Sequence, residues 1–212
     1  MNRTSILITG SNGFIGKNLV SRLEELGSFS IETFTRENSI DDLFQLVKKV
    51  DFIVHLAGVN RPNDNSEFNS VNRELTEIIC DAIYSAKKNT PLLFISSIHA
   101  EYQNPYGKSK LAAELAVKKL ADELGNPVFI YRLPGVFGKW CKPNYNSVVA
   151  TFCHNISHNL PIEVDPSAEL TLVYIDDVVL ELLDVIQNNK TKKDSYLVQP
   201  EYKITVKKLA EQ

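Results

Sequence analysis

Tyr106 and Lys110 stand four residues apart in a stretch, Tyr106 to Leu124, whose Leu111, Leu115 and Leu120 recur at helical spacing. Their side chains therefore share one helix face and can reach a single ligand. A free tyrosine titrates at about 10, too high for efficient proton transfer at neutral pH, and an ammonium beside it favours the phenolate and brings that value down. Reduction of a carbonyl needs a proton on the developing alkoxide. Tyr106 can supply it, while Ser97, at the end of an apolar run just upstream, donates a hydrogen bond to the same oxygen. Ser97, Tyr106 and Lys110 are the candidate catalytic set. Taken alone, a Tyr and a Lys at this spacing would be a surface pair in most helices, so the case depends on what surrounds them.

The surroundings begin with Gly10-Ser11-Asn12-Gly13-Phe14-Ile15-Gly16, which follows a short strand-like run, Ser5 to Thr9, and opens a helical pattern. That context turns a glycine spacing into a dinucleotide fingerprint. Gly10 would permit a tight turn, Gly13 a close approach of backbone to pyrophosphate, and Gly16 close packing of helix on sheet. Unpaired N–H groups at the helix start then favour the phosphates. At the end of the second strand, about twenty residues on, an acid would bind ribose hydroxyls and a base would accept a 2'-phosphate. Arg36 occupies that place and Glu37 comes only after it, which favours NADPH. The alternative reading of Arg36 is a solvent-facing charge.

Several further elements have the same buried, non-alternating character as the first strand. Strands are predicted near Ile31–Thr35, Phe52–Leu56, Leu92–Ile95 and Val128–Leu133, with short extended pieces at Ile162–Val164 and Leu170–Tyr174. Helices are predicted from Phe14 to Leu26, Asp41 to Lys48, Asn69 to Lys87, Tyr106 to Leu124, Val148 to Asn159 and Asp177 to Ile186. Strands separated by helices imply parallel pairing through crossovers. A closed barrel of eight such units needs about 250 residues, so the expected fold is α/β, an open doubly wound parallel sheet of Rossmann type. The segment Asn188 to Asp194 reads as a solvated loop. Thr205 to Gln212 looks like the first two turns of another helix, either a closing stub or the start of something longer.

With 43% apolar and 23% charged residues the chain is of ordinary globular composition, and its net charge of -3 has no basic block to meet a nucleic acid. Three cysteines make no disulfide framework. No apolar stretch approaches the ~18 residues of a membrane span and no signal peptide precedes the first strand, so the expected setting is cytoplasmic, with no membrane partner.

The fingerprint, the strand end Leu56-Ala57-Gly58, Asn72, Ser97 with Tyr106-Gly107-Lys108-Ser109-Lys110, and Tyr174-Ile175-Asp176-Asp177 together resemble the extended short-chain dehydrogenase/reductases that act on nucleotide sugars. Within that family, His55 to Pro62, Asn104 to Gly107, Phe137 to Ser147 and Glu169 to Leu172 are most similar to capsular-polysaccharide reductases of a 4-keto UDP-sugar. The resemblance implies NADPH-dependent reduction at C4 of a UDP-4-keto-6-deoxy-HexNAc, with an epimerase or dehydratase, or a non-catalytic cofactor-binding subunit, as alternatives. It implies a cofactor part over about 1–133 that uses Gly10, Asn12, Gly13, Phe14, Ile15, Gly16, Arg36, Leu56, Ala57, Gly58, Tyr106, Lys110 and Leu133. It implies a small C-terminal substrate portion over about 134–212, with the UDP-sugar touched by His99, Pro134, Lys139, Asn144, Asn146 and Asp176. It also leaves room for a homodimer. Such relatives continue into a further reductase segment and a metal-binding cupin domain, so the substrate portion is expected to be incomplete here.

Three departures stand out. Eight residues separate Ser97 from Tyr106, fewer than in many members, which should open the pocket. Gly135 stands where the family often has an asparagine that touches substrate. His154 and His158, four apart, lack a third ligand, and no metal site is expected. Cys141 reads as a packing or substrate-side residue, and the Asp176-Asp177 pair most simply caps the helix that follows.

Overall fold

The computed structural model describes residues 3–62, 64–188 and 196–212, so residues 189–194 of the expected solvated loop lie outside the described residues. Strand β1 (Thr4–Thr9) is interior and parallel to both neighbours, β2 (Phe29–Phe34) and β3 (Phe52–His55); β4 (Leu92–Ser97) and β5 (Val128–Leu133) extend the sheet in the order β2-β1-β3-β4-β5. The chain reverses its direction of travel across the sheet between β2 and β3. The crevice at the carboxyl ends of β1 and β3 is therefore a topological switch point, where doubly wound sheets bind ligands.

Both faces of the sheet are covered, which explains the strands' unbroken apolar runs. Ile6 and Ile8, Phe52 and Val54, Leu93 and Ile95, and Phe129 and Tyr131 point into one core with Leu19 and Leu23 of α1 (Phe14–Leu26). Leu7, Ile53, Leu92 and Phe94 point the other way, against α2 (Ile40–Lys49), α3 (Leu75–Ala86) and α4 (Pro105–Leu124). The period of two along each strand sorts these residues. The first core also takes in Val178, Val179, Leu182, Leu183, Val185 and Ile186 of α6 (Ile175–Asn188). Residues on both sides of position 133 thus share one core.

A second sheet, β6-β7-β8, joins β6 (Gly135–Phe137) in parallel and β8 (Tyr202–Thr205) antiparallel to β7 (Glu169–Tyr174). Neither β6 nor β8 is predicted from the sequence, because runs of three and four residues carry too few alternations to read. Ile162 to Val164, predicted to be extended, forms no strand. Helix α5 (Val148–Ser157) lies between the two paired strands in sequence, and α7 (Val206–Glu211) follows β8, capped by the Thr205 hydroxyl, which accepts from Lys208 N at 3.2 Å. The single helix expected over Asn69–Lys87 opens instead as a π-helical turn, Phe68–Glu74, before α3. Such turns are frequent at functional sites. Among the described residues no helix is long and apolar enough to cross a membrane.

Candidate active site

The end of β4 delivers Ser97, and a short 3-10 turn, Ile98–Glu101, leads to α4. Asn104 caps that helix: its Oδ1 accepts from Gly107 N at 2.7 Å, and Pro105 takes the first helical position. Tyr106 is thereby fixed in the first turn, with Lys110 one turn on. A buried brace sets the rotation of the helix. Glu114 accepts two hydrogen bonds from Arg132 of β5, at 2.8 and 2.7 Å, and a third from the Ser96 hydroxyl of β4 at 2.5 Å. Burial pushes the Glu114 carboxyl up, but these donors outweigh it and hold it below the ordinary range.

Lys110 is buried, and its Nζ donates to the Ile95 carbonyl at 2.9 Å while lying 5.0 Å from the centre of the Phe94 ring. Burial draws its pKa down to about 8, against an upward pull from Glu114. The Tyr106 ring packs between Phe68 and His99, with centroids 5.7 and 6.1 Å away. Here the structure corrects the sequence-based expectation about titration. Burial pushes the Tyr106 phenol up, and the opposing influence is a hydrogen bond with Ser97, not the lysine charge. Removing a hydroxyl from water disfavours its anion more than one neutral partner can offset.

A second polar chain runs beneath the site. Thr76 donates to the Asn72 carbonyl at 2.7 Å, so its oxygen is left to accept from His55 Nε2 at 2.9 Å. The other ring nitrogen, Nδ1, must then accept from the Thr9 hydroxyl at 2.6 Å, and Thr9 in turn accepts from Ala57 N at 3.2 Å. Every group is satisfied by a neutral imidazole protonated on Nε2. Burial, with the charge of Lys110, drives the His55 pKa down to about 3. Asn72 extends the chain: Oδ1 accepts from Val59 N at 2.8 Å, and Nδ2 donates to Val59 O at 2.9 Å and to Ser109 Oγ at 3.0 Å. The loop after β3 is thus clamped to the helix that carries Tyr106 and Lys110.

Two clefts open beside these elements. One, of about 560 Å³, is lined by the glycine turn, Leu56, Gly58, Ser97, His99, Tyr106, Lys110, Leu133, Pro134 and Asn146. The other, of about 830 Å³, lies between α1 and the end of β2 and takes in Ser11, Asn12, Thr35 and Asn38. These residues fit a dinucleotide. At Gly10, where φ is +71°, a Cβ would come within 2.6 Å of Ala57 N, and at Gly16 within 2.2 Å of the Gly10 carbonyl, so β1, β3 and α1 meet too closely for side chains. Gly13 begins α1 with no side-chain cap, and no acidic residue stands in its first turn, leaving N–H groups for an anion.

Not every expected residue faces these clefts. Arg36 is exposed in the turn after β2, next to Thr35 of the second cleft but not in its wall. Ala57 lies behind Gly58, held through Thr9. Lys139 and Asp176, both expected to touch substrate, form an ion pair at 3.8 Å outside the cleft walls, and Asn144, also outside them, donates its backbone N–H to the Thr151 hydroxyl at 2.9 Å. Sequence reasoning gave no role to Lys17 or Asn60, which line the clefts together with Trp140 and Tyr145 of the Phe137 to Ser147 stretch. It also gave Asn72 no task, although a buried polar residue four before Thr76 on the stripe that continues to Cys80 and Ile83 is a readable signal. Among the described residues no group of three or more His, Cys, Asp or Glu could hold a metal ion.

Comparison with known proteins agrees with this geometry. The chain is 51% identical over 208 residues to the UDP-2-acetamido-2,6-beta-L-arabino-hexul-4-ose reductase of Pseudomonas aeruginosa, covering 98% of this chain and 56% of that protein. The crystal structure of the capsular polysaccharide assembling protein CapF from Staphylococcus aureus superimposes with a TM-score of 0.86 at 43% identity, over 97% of this chain and 56% of that one. The chain therefore spans just over half the length of these two relatives. UDP-glucuronic acid 4-epimerase from Bacillus cereus, solved with NAD, shares the fold at a TM-score of 0.79 and 18% identity, over 94% of this chain and 80% of that one. Residues 6–198 match the profile of the NAD dependent epimerase/dehydratase family, and the chain belongs to that family.

Proposed function

We propose that this chain is an NADPH-dependent reductase acting at the C4 ketone of a UDP-4-keto-6-deoxy-HexNAc sugar, in the supply of capsule or surface-polysaccharide precursors. The observation that carries the reading is that Ser97, Tyr106 and Lys110 line one cleft together with the glycine turn, Lys110 one turn beyond Tyr106 on α4. The 51% identity to a reductase of such a sugar supports the substrate class. NADPH, when bound, supplies the hydride.

The residues of this chain do the rest. The glycine turn and the open N–H groups of α1 would hold the pyrophosphate, and Arg36, beside Thr35, would meet the 2'-phosphate. Ser97 orients the C4 oxygen, and Tyr106 passes its phenolic proton to that oxygen as negative charge develops there. A phenol whose pKa is raised is fully protonated at neutral pH, as a proton donor must be. Lys110, one turn on in the same cleft wall, supplies a positive charge beside the place the cofactor would occupy. The stretch 134–212 supplies the sugar side, with Pro134 and Asn146 in the cleft wall. Pairing of two copies in a cytoplasmic setting completes the reading, and sedimentation would measure the pairing.

Absorbance of the reduced cofactor, followed with a 4-keto UDP-sugar, tests the proposal. A reductase consumes cofactor in proportion to sugar. An epimerase or dehydratase returns the hydride and shows no net consumption, which would overturn the reading.

A further inference from the structure

Trp140 is the only tryptophan in the chain, and the residue is 56% exposed. An aromatic residue so placed contributes little to folding, yet its backbone adopts a left-handed conformation, φ +67°, that residues with a Cβ rarely take up. Strain of this kind persists where the surroundings hold it, and it gathers at ligand clamps. The surroundings here are specific. Asn18 of α1, 2% exposed, donates from Nδ2 to the Lys139 carbonyl at 3.2 Å and to the Phe14 carbonyl at 2.9 Å. Cys141 N donates to the Gly138 carbonyl at 3.2 Å and closes the turn. The turn that bears Trp140 is thus pinned to the helix whose first N–H groups face the cleft.

Trp140 also lies where the two clefts meet. Among the described residues only Asn12, Lys17 and Trp140 line both. Asn12 and Lys17 flank the start of α1, where phosphates would sit, and Trp140 lines the same junction. Lys139 lies 5.3 Å from the centre of the indole ring, its charge paired with Asp176. The polar walls on either side accommodate the two halves of a dinucleotide, and the junction is the one place that its diphosphate bridge must cross.

We infer that Trp140 is a cofactor-binding clamp that closes over the diphosphate bridge of the dinucleotide and does not belong to the sugar pocket. The inference rests on the dinucleotide reading above. It separates the Phe137–Ser147 loop into a cofactor-side turn at Trp140 and a sugar-side part at Tyr145 and Asn146.

The lone tryptophan makes the test direct. Acrylamide quenching of its fluorescence in the unchanged chain should fall severalfold on addition of NADP+ and stay unchanged with UDP. By calorimetric titration, Trp140→Ala should weaken NADP+ binding about tenfold, the scale of an aromatic anchor lost on truncation, while Trp140→Phe keeps most of the affinity. Shielding by UDP but not by NADP+ would overturn the inference, as would NADP+ affinity in Trp140→Ala equal to that of the unchanged chain. If the unchanged chain bound neither NADP+ nor NAD+, the dinucleotide reading itself would fall, and the clamp with it.

Discussion

The floor of the site and its mouth are built in opposite ways. On the floor, Lys110, Glu114, His55 and Asn72 are buried, and each is tied by hydrogen bonds to strands or helices far away in sequence. At the mouth, Arg36 and Lys139 lie exposed on connections and Asp176 half-exposed in the first turn of α6, and the Lys139–Asp176 pair is near the surface. Groups that handle a proton need a fixed distance and a controlled titration, and both come from burial. Groups that recognise a ligand need access, and they accept the screening that water brings.

The largest effect should come from the floor. Tyr106→Phe removes one oxygen from a packed ring and should lower turnover by about 10²–10⁴-fold while cofactor affinity holds. Near-normal turnover in that variant would take the proton-donor role away from Tyr106.

Next comes the charge behind it. Lys110 is cationic below its pKa of about 8 and neutral above it, so kcat/KM should decline as pH rises through about 8. Lys110→Arg, which cannot lose its charge in this range, should carry any remaining activity to higher pH. A wild-type profile that stays flat well above pH 8 would show that the rate does not need the ammonium.

At the mouth the expected effects are smaller. Arg36→Ala should weaken NADPH by about tenfold and leave NADH nearly unchanged, the cost of one charge-assisted phosphate contact. Equal losses for both cofactors would place Arg36 away from the 2'-phosphate. Smallest is the Lys139–Asp176 pair, about half exposed on both sides. Asp176→Asn should change the melting free energy by under about 1 kcal/mol, as exposed pairs do. A larger loss would mean that the mouth is braced as the floor is, and the contrast between them would fail.

Much of the floor was legible in the sequence. Gly10, Gly13 and Gly16 after an apolar run, Ser97 at a strand end, and Tyr106 and Lys110 one turn apart all follow from local spacing, and the structure gathers them around one cleft. Their supports were less legible. Glu114, Arg132 and Ser96 lie on three different elements, and nothing in the interval between them announces that they meet. The same is true of Thr9, His55 and Thr76.

By itself the sequence determined what repeats with a short period: buried strands and amphipathic helices, and hence an open parallel sheet with a dinucleotide turn at its switch point. Tertiary structure alone decided which polar groups meet and how they titrate. The Tyr106 phenol rises because its ring is enclosed by Phe68 and His99 and loses water, a cost that depends on three-dimensional neighbours and not on the lysine four residues along the helix. Likewise β6 and β8 are strands only because β7 lies beside them to complete their hydrogen bonds, and Trp140 meets both clefts only because Asn18 holds its turn against α1.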